Sequence, residues 1–140
     1  MRNSIASQSA WGLLFLRLSA AAMLFAGHGL DKLQHLTEKA ISFPDPLGVG
    51  PTVSIMLVVF AEAVCTVLVM VGLLTRWAAV PIVATMIIAA VWVHKEDPWS
   101  AKEFALLYAI PFVTVLLMGP GRFSVDAWRS RRALARRRRL

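Results

Sequence analysis

Four long runs of apolar residues divide the chain. They cover approximately residues 11–30, 53–74, 77–93 and 104–120. Because an α-helix needs about 17 to 25 residues to cross a bilayer, the first three runs are long enough to span, and the fourth is marginal because its apolar residues end at Met118. The pattern predicts an all-α fold, an integral membrane four-helix bundle over residues 11–126, with a short N-terminal segment at 1–10 and a tail at 127–140.

The composition supports a bilayer environment. The chain has 140 residues, 58% of them hydrophobic, and a mean hydropathy of +0.65. A domain of this size has too small a core to bury so much apolar surface in water. The five tryptophans fall at or near the ends of the runs, as expected for rings that prefer the membrane–water interface.

The basic residues predict an orientation. Seven arginines lie in the last dozen residues, and they account for the whole net charge of +7. With four spans the two termini share one side, and the positive-inside rule places that side in the cytoplasm. Residues 127–140 are then a basic cytoplasmic tail that attracts anionic lipid. Nucleic acid is disfavoured as a partner of this tail because no folded nucleic-acid-binding module accompanies the charge.

A cleaved signal peptide at Met1–Ala26 is disfavoured because Arg17 interrupts its apolar region.

Ionisable residues within the apolar runs are the candidates for function, because each is costly at depth and needs a partner. Glu62 lies near the middle of the second run. His28 and Lys32 lie on one face at the end of the first run, and we expect His28 to pair with Glu62. The predicted pocket residues are Arg17, His28, Lys32, Glu62, His94 and Glu103.

Several of these candidates also have a simpler interpretation. Arg17 could extend to the headgroups instead, and Lys32, His94 and Glu103 could simply mark helix ends. A metal site is disfavoured because no H-x-x-x-H or E-x-x-H pair is present. The sequence also has no ligation pattern for haem, flavin or an iron–sulfur cluster.

Three segments resemble the DoxX family of bacterial membrane proteins. They are RLSAAAMLFAGHGLDKL (residues 17–33), FAEAVCTVLVMVGLLTRWAA (60–79) and GPGRFSVD (119–126). The resemblance implies a multi-pass protein of the bacterial plasma (inner) membrane that is associated with oxidoreductase systems. It also implies a motif on the cytoplasmic face formed by Arg76, Arg122, Ser124 and Asp126.

Two hypotheses for the function follow. In the first, the chain is a membrane subunit of an oxidoreductase complex that interacts with quinone or its protons. His28, Lys32 and Glu62 are the catalytic candidates, no cofactor is firmly bound, and electrons come from a partner protein. In the second, the chain is a non-catalytic scaffold or assembly factor whose polar groups fix helix packing. Small residues along the runs also permit a homo-oligomer.

Overall fold

The computed structural model describes residues 2–137 and is helical almost throughout. Residues 2–137 form six helices: α1 (Arg2–Leu24, a π-turn at Phe25–Gly29, and Leu30–Gln34), α2 (Leu36–Lys39), α3 (Pro51–Val71), α4 (Thr75–Val93), α5 (Trp99–Met118) and α6 (Val125–Arg137). Four of them, α1, α3, α4 and α5, are long and apolar enough to cross a membrane, and no strand occurs in these residues. The prediction of an all-α membrane bundle is therefore confirmed.

The four long helices form a ring in which each packs against two antiparallel neighbours. α1 and α4 lie opposite each other, and both contact α3 and α5. The side chains of Leu24, Val69, Ile82, Phe112 and Val115 are fully buried between them. Many large apolar side chains on the outer surface remain exposed, as expected for a bundle whose outer faces contact lipid.

The two ends of the bundle differ in structure. At the loop end, residues 40–50 connect the region of α2 to α3. At the tail end, the turn Gly72–Leu74 connects α3 to α4, and α6 begins after a short connection from α5. The N-terminal part of α1 around Trp11 and the segment just before α6 both lie at the tail end, since the rings of Trp11 and Phe123 are in contact, with centroids 4.5 Å apart and planes tilted by 37°.

The helix bounds differ from the predicted spans by several residues. α3 ends at Val71 and not at residue 74, because Gly72 and Leu74 adopt positive φ angles of 74° and 49°. α5 begins at Trp99 and ends before Gly119, which has a φ of 84°. The tail is helical up to Arg137, while Arg138 and Arg139 lie outside the described residues.

Three of the long helices contain a π-turn. These turns are Phe25–Gly29 in α1, Phe60–Cys65 in α3 and Ala89–Val93 in α4. A π-turn adds about one residue to a helical turn, so the residues beyond it rotate by roughly 100° relative to an uninterrupted helix. In α3 the Thr66 hydroxyl donates to the Glu62 carbonyl at 2.6 Å, which satisfies a carbonyl within this irregular turn. The π-turns therefore change which side chains face the interior.

Candidate functional site

A cavity of about 540 Å³ lies in the loop-end half of the bundle. All four long helices and the 40–50 loop contribute to its wall, which is mostly apolar. Its ionisable side chains come from three helices and from the residue that follows α4: His28, Lys32, Glu62, Tyr108 and His94. Its size and its few polar groups are typical of a pocket for a small organic ligand.

The central polar contact of this cavity is an ion pair between α1 and α3. Lys32 Nζ donates to Glu62 Oε2 at 2.6 Å, and the two side chains are only 16% and 6% exposed. Glu62 is the twelfth residue of the 21-residue helix α3, where no interface is near. An unpaired charge at such a depth would carry a large desolvation cost, so each partner requires the other.

Gly29 allows the two helices to approach closely enough for this pair. A Cβ atom at Gly29 would overlap the Glu62 carbonyl oxygen and lie 2.8 Å from the Glu62 carbonyl carbon. Any side chain at Gly29 would therefore push α1 away from α3. The glycine places Lys32, one turn further along α1, within reach of Glu62.

The predicted pairing of Glu62 with His28 is wrong. His28 lines the same cavity, but its ring makes an edge-to-face contact with Tyr108 on α5, with centroids 5.4 Å apart and planes at 83°. The π-turn at Phe25–Gly29 explains the difference, because His28 lies inside it and the regular helical spacing used in the prediction does not hold there. Tyr108 was not predicted, although it is the one tyrosine in the sequence and lies within an apolar run.

The remaining pocket candidates divide into one that lines the cavity and two that do not. His94 lines it, and its Nδ1 lies 2.6 Å from Asp97 Oδ2. Glu103 is exposed and does not line it, because the cavity face of α5 follows Ala101, Phe104 and Tyr108. Arg17 lies at the tail end, three turns from His28.

The 40–50 loop forms an ordered wall of the cavity. Asp45 accepts hydrogen bonds from the Val49 and Gly50 backbone N–H groups and from the Ser54 hydroxyl, at 2.7–3.0 Å. The Ser54 hydroxyl, followed by the backbone donors, holds the pKa of the Asp45 carboxyl below its usual value. This network fixes the segment with Phe43 and Leu47, two of the residues that line the cavity.

A second polar cluster fastens the tail end. Arg17 is only 2% exposed, and its guanidinium donates to the carbonyls of Pro120 and Phe123, the latter at 2.6 Å. Arg17 therefore neither extends to the headgroups nor lines the cavity. A Cβ at Gly72 would lie 2.6 Å from Arg17 Nη1 and 2.9 Å from Ser124 Cα, so glycine is needed for this packing as well as for its positive φ.

Asp126 binds the turn between α3 and α4. It accepts from the Leu74 and Thr75 backbone N–H groups at 3.0 Å each and from the Thr75 hydroxyl at 2.9 Å, which caps the N-terminus of α4. Partial burial acts to raise the pKa of the Asp126 carboxyl, but these hydrogen bonds and the nearby Arg129 outweigh it, so the pKa lies below its usual value.

The four residues of the predicted face motif lie together at the tail end. Ser124 is buried and donates to the Gly121 carbonyl at 2.7 Å. Arg76 donates to the Leu117 carbonyl at 3.3 Å, and Arg122 is exposed beside Phe123. Together with Asp126, these residues join the C-terminal ends of α3 and α5 and the N-terminal end of α4 to the start of α6.

Within residues 2–137, no three His, Cys, Asp or Glu side chains come close enough together to hold a metal ion. The ionisable groups of the cavity instead occur as the ion pair Lys32–Glu62, the ring contact His28–Tyr108, and His94 beside Asp97. The cavity wall is therefore mostly apolar, with a few side chains that can donate or accept hydrogen bonds.

Comparisons with known proteins agree with the sequence and fold. The DoxX family model matches residues 12–95. The chain is 31% identical over 136 residues to "Uncharacterized membrane protein Rv3486" of Mycobacterium tuberculosis, covering 81% of this chain and 78% of the relative. No solved structure matches. With four apolar helices of spanning length, the chain is a multi-pass bacterial membrane protein, and it belongs to the DoxX family.

Proposed function

We propose that this protein is the membrane subunit of an oxidoreductase system and that its cavity binds the head of a lipid-soluble quinone. The Lys32–Glu62 ion pair inside a largely apolar cavity is the observation that carries the proposal. A partner protein supplies the electrons.

The cavity has the dimensions and polarity for such a ligand. Its volume of about 540 Å³ lies within the range of roughly 300–1,000 Å³ that small-molecule pockets occupy. A quinone has a flat apolar ring with two carbonyl acceptors. The apolar wall suits the ring, while Lys32 and Tyr108 offer N–H and O–H donors for the carbonyls.

The chemistry of the residues fits proton exchange. A bound quinone would supply the redox chemistry, because a quinone takes up two electrons and two protons when it is reduced to a quinol. Lys32 has three N–H donors and gives one to Glu62, so the others can polarise a carbonyl oxygen. Glu62 can hold or release a proton beside it, and His94 offers an exchangeable group nearer the loop end.

The cavity also opens toward the region occupied by lipid. Leu57 and Phe60 of α3 line it, yet they are 51% and 49% exposed. The first half of α3 makes hardly any contact with the end of α4, which leaves a gap between them. A ligand that carries a long apolar tail would enter sideways from the bilayer and leave its tail between these helices.

The test is the binding of decylubiquinone to the purified protein in detergent, measured as a rise in thermal stability. A ligand that binds only the folded form stabilises it by about 2.7 kcal/mol at a hundred times its dissociation constant. The double variant Lys32→Met/Glu62→Gln removes both charges together. The matched control is Lys95→Met/Glu103→Gln, which makes the same changes at exposed positions outside the cavity.

We expect decylubiquinone to stabilise the wild type and the control equally, and to bind the cavity double variant at least about tenfold more weakly, which corresponds to losing a hydrogen bond to a charged group. Unchanged melting of all three proteins over a wide quinone range would refute the proposal. So would equal stabilisation of all three.

The alternative function is a non-catalytic scaffold, and the same ion pair supports it, because Lys32–Glu62 also ties α1 to α3. A scaffold would require this contact for association with its partner and not for ligand binding. If the cavity double variant fails to assemble with a partner while binding quinone normally, the scaffold function is correct.

A further inference from the structure

A groove at the tail end is distinct from the cavity, more open, and flanked by exposed arginines. It has a volume of about 520 Å³ and lies between the end of α3 and the first two turns of α6. Val71, Phe123 and Trp128 form an apolar floor, and Arg122 and Arg131 provide the charge. We call this feature the tail groove.

The tail groove is held in a fixed shape. Arg17 binds the backbone on both sides of Arg122 through the Pro120 and Phe123 carbonyls. Asp126 binds the turn between α3 and α4, and its backbone N–H donates to the Gly72 carbonyl at 2.9 Å. The first turn of α6 therefore cannot swing away from the end of α3, and the arginines of the groove are positioned before any ligand arrives.

The arginines of the groove have free capacity for an anion. Arg131 Nη2 donates to the Arg122 carbonyl at 3.2 Å, which brings the two residues together. Neither guanidinium forms an ion pair with a carboxylate in the part of the chain that the structure describes. A planar guanidinium with several unused N–H donors matches the oxygens of a phosphate group.

The position of the groove selects a lipid over a soluble phosphate. α3 ends at the groove with Val71, and α5 ends at Met118, shortly before Arg122, so the groove lies where the apolar spans stop and lipid headgroups are expected. Its floor includes Trp128, a residue that is 48% exposed and whose ring centroid lies 3.9 Å from the guanidinium carbon of Arg132. An apolar floor beneath phosphate-binding donors fits a phospholipid, whose glycerol and upper acyl carbons lie below its phosphate.

We propose that the tail groove binds the headgroup of an anionic phospholipid, with Arg122 and Arg131 on the phosphate and Trp128 against the glycerol region. The remaining arginines of α6 add a positive field that favours anionic over zwitterionic lipids. This site is independent of the quinone-binding cavity, which lies in the other half of the bundle.

The experiment measures lipid retention by native mass spectrometry of the full chain, released from detergent micelles that contain phosphatidylglycerol or phosphatidylcholine. The test variant is Arg122→Gln/Arg131→Gln. The matched control, Arg136→Gln/Arg137→Gln, removes the same number of positive charges at two positions of α6 outside the groove, whereas the test variant changes Arg131 of α6 and Arg122 just before it. A melting curve of each variant checks that the bundle is folded.

We expect the wild type to retain phosphatidylglycerol in preference to phosphatidylcholine. The groove variant should bind phosphatidylglycerol about thirtyfold more weakly than the wild type, a loss in the range expected when hydrogen bonds from charged donors to a phosphate are removed. It should also bind at least about tenfold more weakly than the control.

Three results would overturn the proposal. Equal losses in the groove variant and the control would mean that the charge of α6 acts diffusely and that no site exists. Undiminished phosphatidylglycerol binding by the folded groove variant would place the lipid elsewhere. Displacement of phosphatidylglycerol by glycerol phosphate or by a short RNA would mean that the groove does not select a lipid.

Discussion

The buried Lys32–Glu62 ion pair predicts a large loss in the free energy of unfolding when either residue is replaced alone. Lys32 Nζ and Glu62 Oε2 lie 2.6 Å apart, and both side chains are largely buried. Replacing either residue alone leaves the other charge without its partner in the bundle. For a buried pair such a loss costs roughly 3–5 kcal/mol, and we expect about 3 kcal/mol because Lys32 retains some contact with solvent.

The double variant provides the decisive comparison. Lys32→Met and Glu62→Gln should each destabilise by about 3 kcal/mol, but the double variant removes both charges and leaves none unpaired. It should recover at least about 2 kcal/mol relative to the sum of the single changes, a coupling energy in the range expected for residues in contact. At about 4 °C per kcal/mol, each single variant should melt roughly 12 °C below the wild type.

The assay is thermal or denaturant unfolding of the four proteins in one detergent at one concentration. A double variant whose loss equals the sum of the single losses would mean that the two charges do not interact in solution. Single losses below about 1 kcal/mol, the range of exposed pairs, would mean that the pair is open to solvent. Either result would refute the buried ion pair.

Three further predictions concern the packing and the tail end. Gly29→Ala should lower the melting temperature, because the added Cβ collides with the α3 backbone, whereas Gly12→Ala, with nothing within 4 Å, should raise it slightly. Arg17→Leu leaves two carbonyl groups unpaired, so it should destabilise by about 3 kcal/mol and speed trypsin cleavage after Arg122. The pKa of the Asp126 carboxyl lies below that of an ordinary aspartate, so its stabilisation is present above the ordinary pKa and is lost as the pH falls through the folded-state pKa. The difference in melting temperature between wild type and Asp126→Asn should therefore be constant from pH 7 to about pH 5 and shrink below about pH 4.

The sequence was sufficient to predict the four-helix architecture because a helical segment that crosses a bilayer must be apolar and about 20 residues long. The same demand made Glu62 conspicuous, since a carboxylate in mid-helix has no interface to reach. The structure buries Glu62 in the interior, beside the cavity.

Helical periodicity failed where the helices are irregular. Regular helical geometry favoured His28 as the partner of Glu62, but His28 lies within a π-turn and Glu62 pairs with Lys32 instead. Nothing in the local sequence distinguishes a π-turn from an α-helical turn. Two features could have helped: Gly29, which permits close helix approach, and Tyr108, a polar ring in an apolar run.

The role of Arg17 depends on contacts that are distant in sequence. Its acceptors are backbone carbonyls of Pro120 and Phe123, more than 100 residues away. Backbone acceptors leave no signature in side-chain identity, so a sequence pattern cannot indicate them. Only the G-P-G-R-x-S-x-D segment, taken from the family resemblance, pointed to a structured tail end.

The most direct test of the proposed function is photolabelling of the protein in membranes with a quinone analogue that carries a photoreactive group on its ring. Peptide mapping should then find the label on the cavity wall, in the segments that contain His28, Glu62 and Tyr108. The label should disappear when excess decylubiquinone is added. Labelling confined to the lipid-facing surface, at Phe15, Trp77 or Leu117, and insensitive to competitor would contradict a quinone site in this cavity.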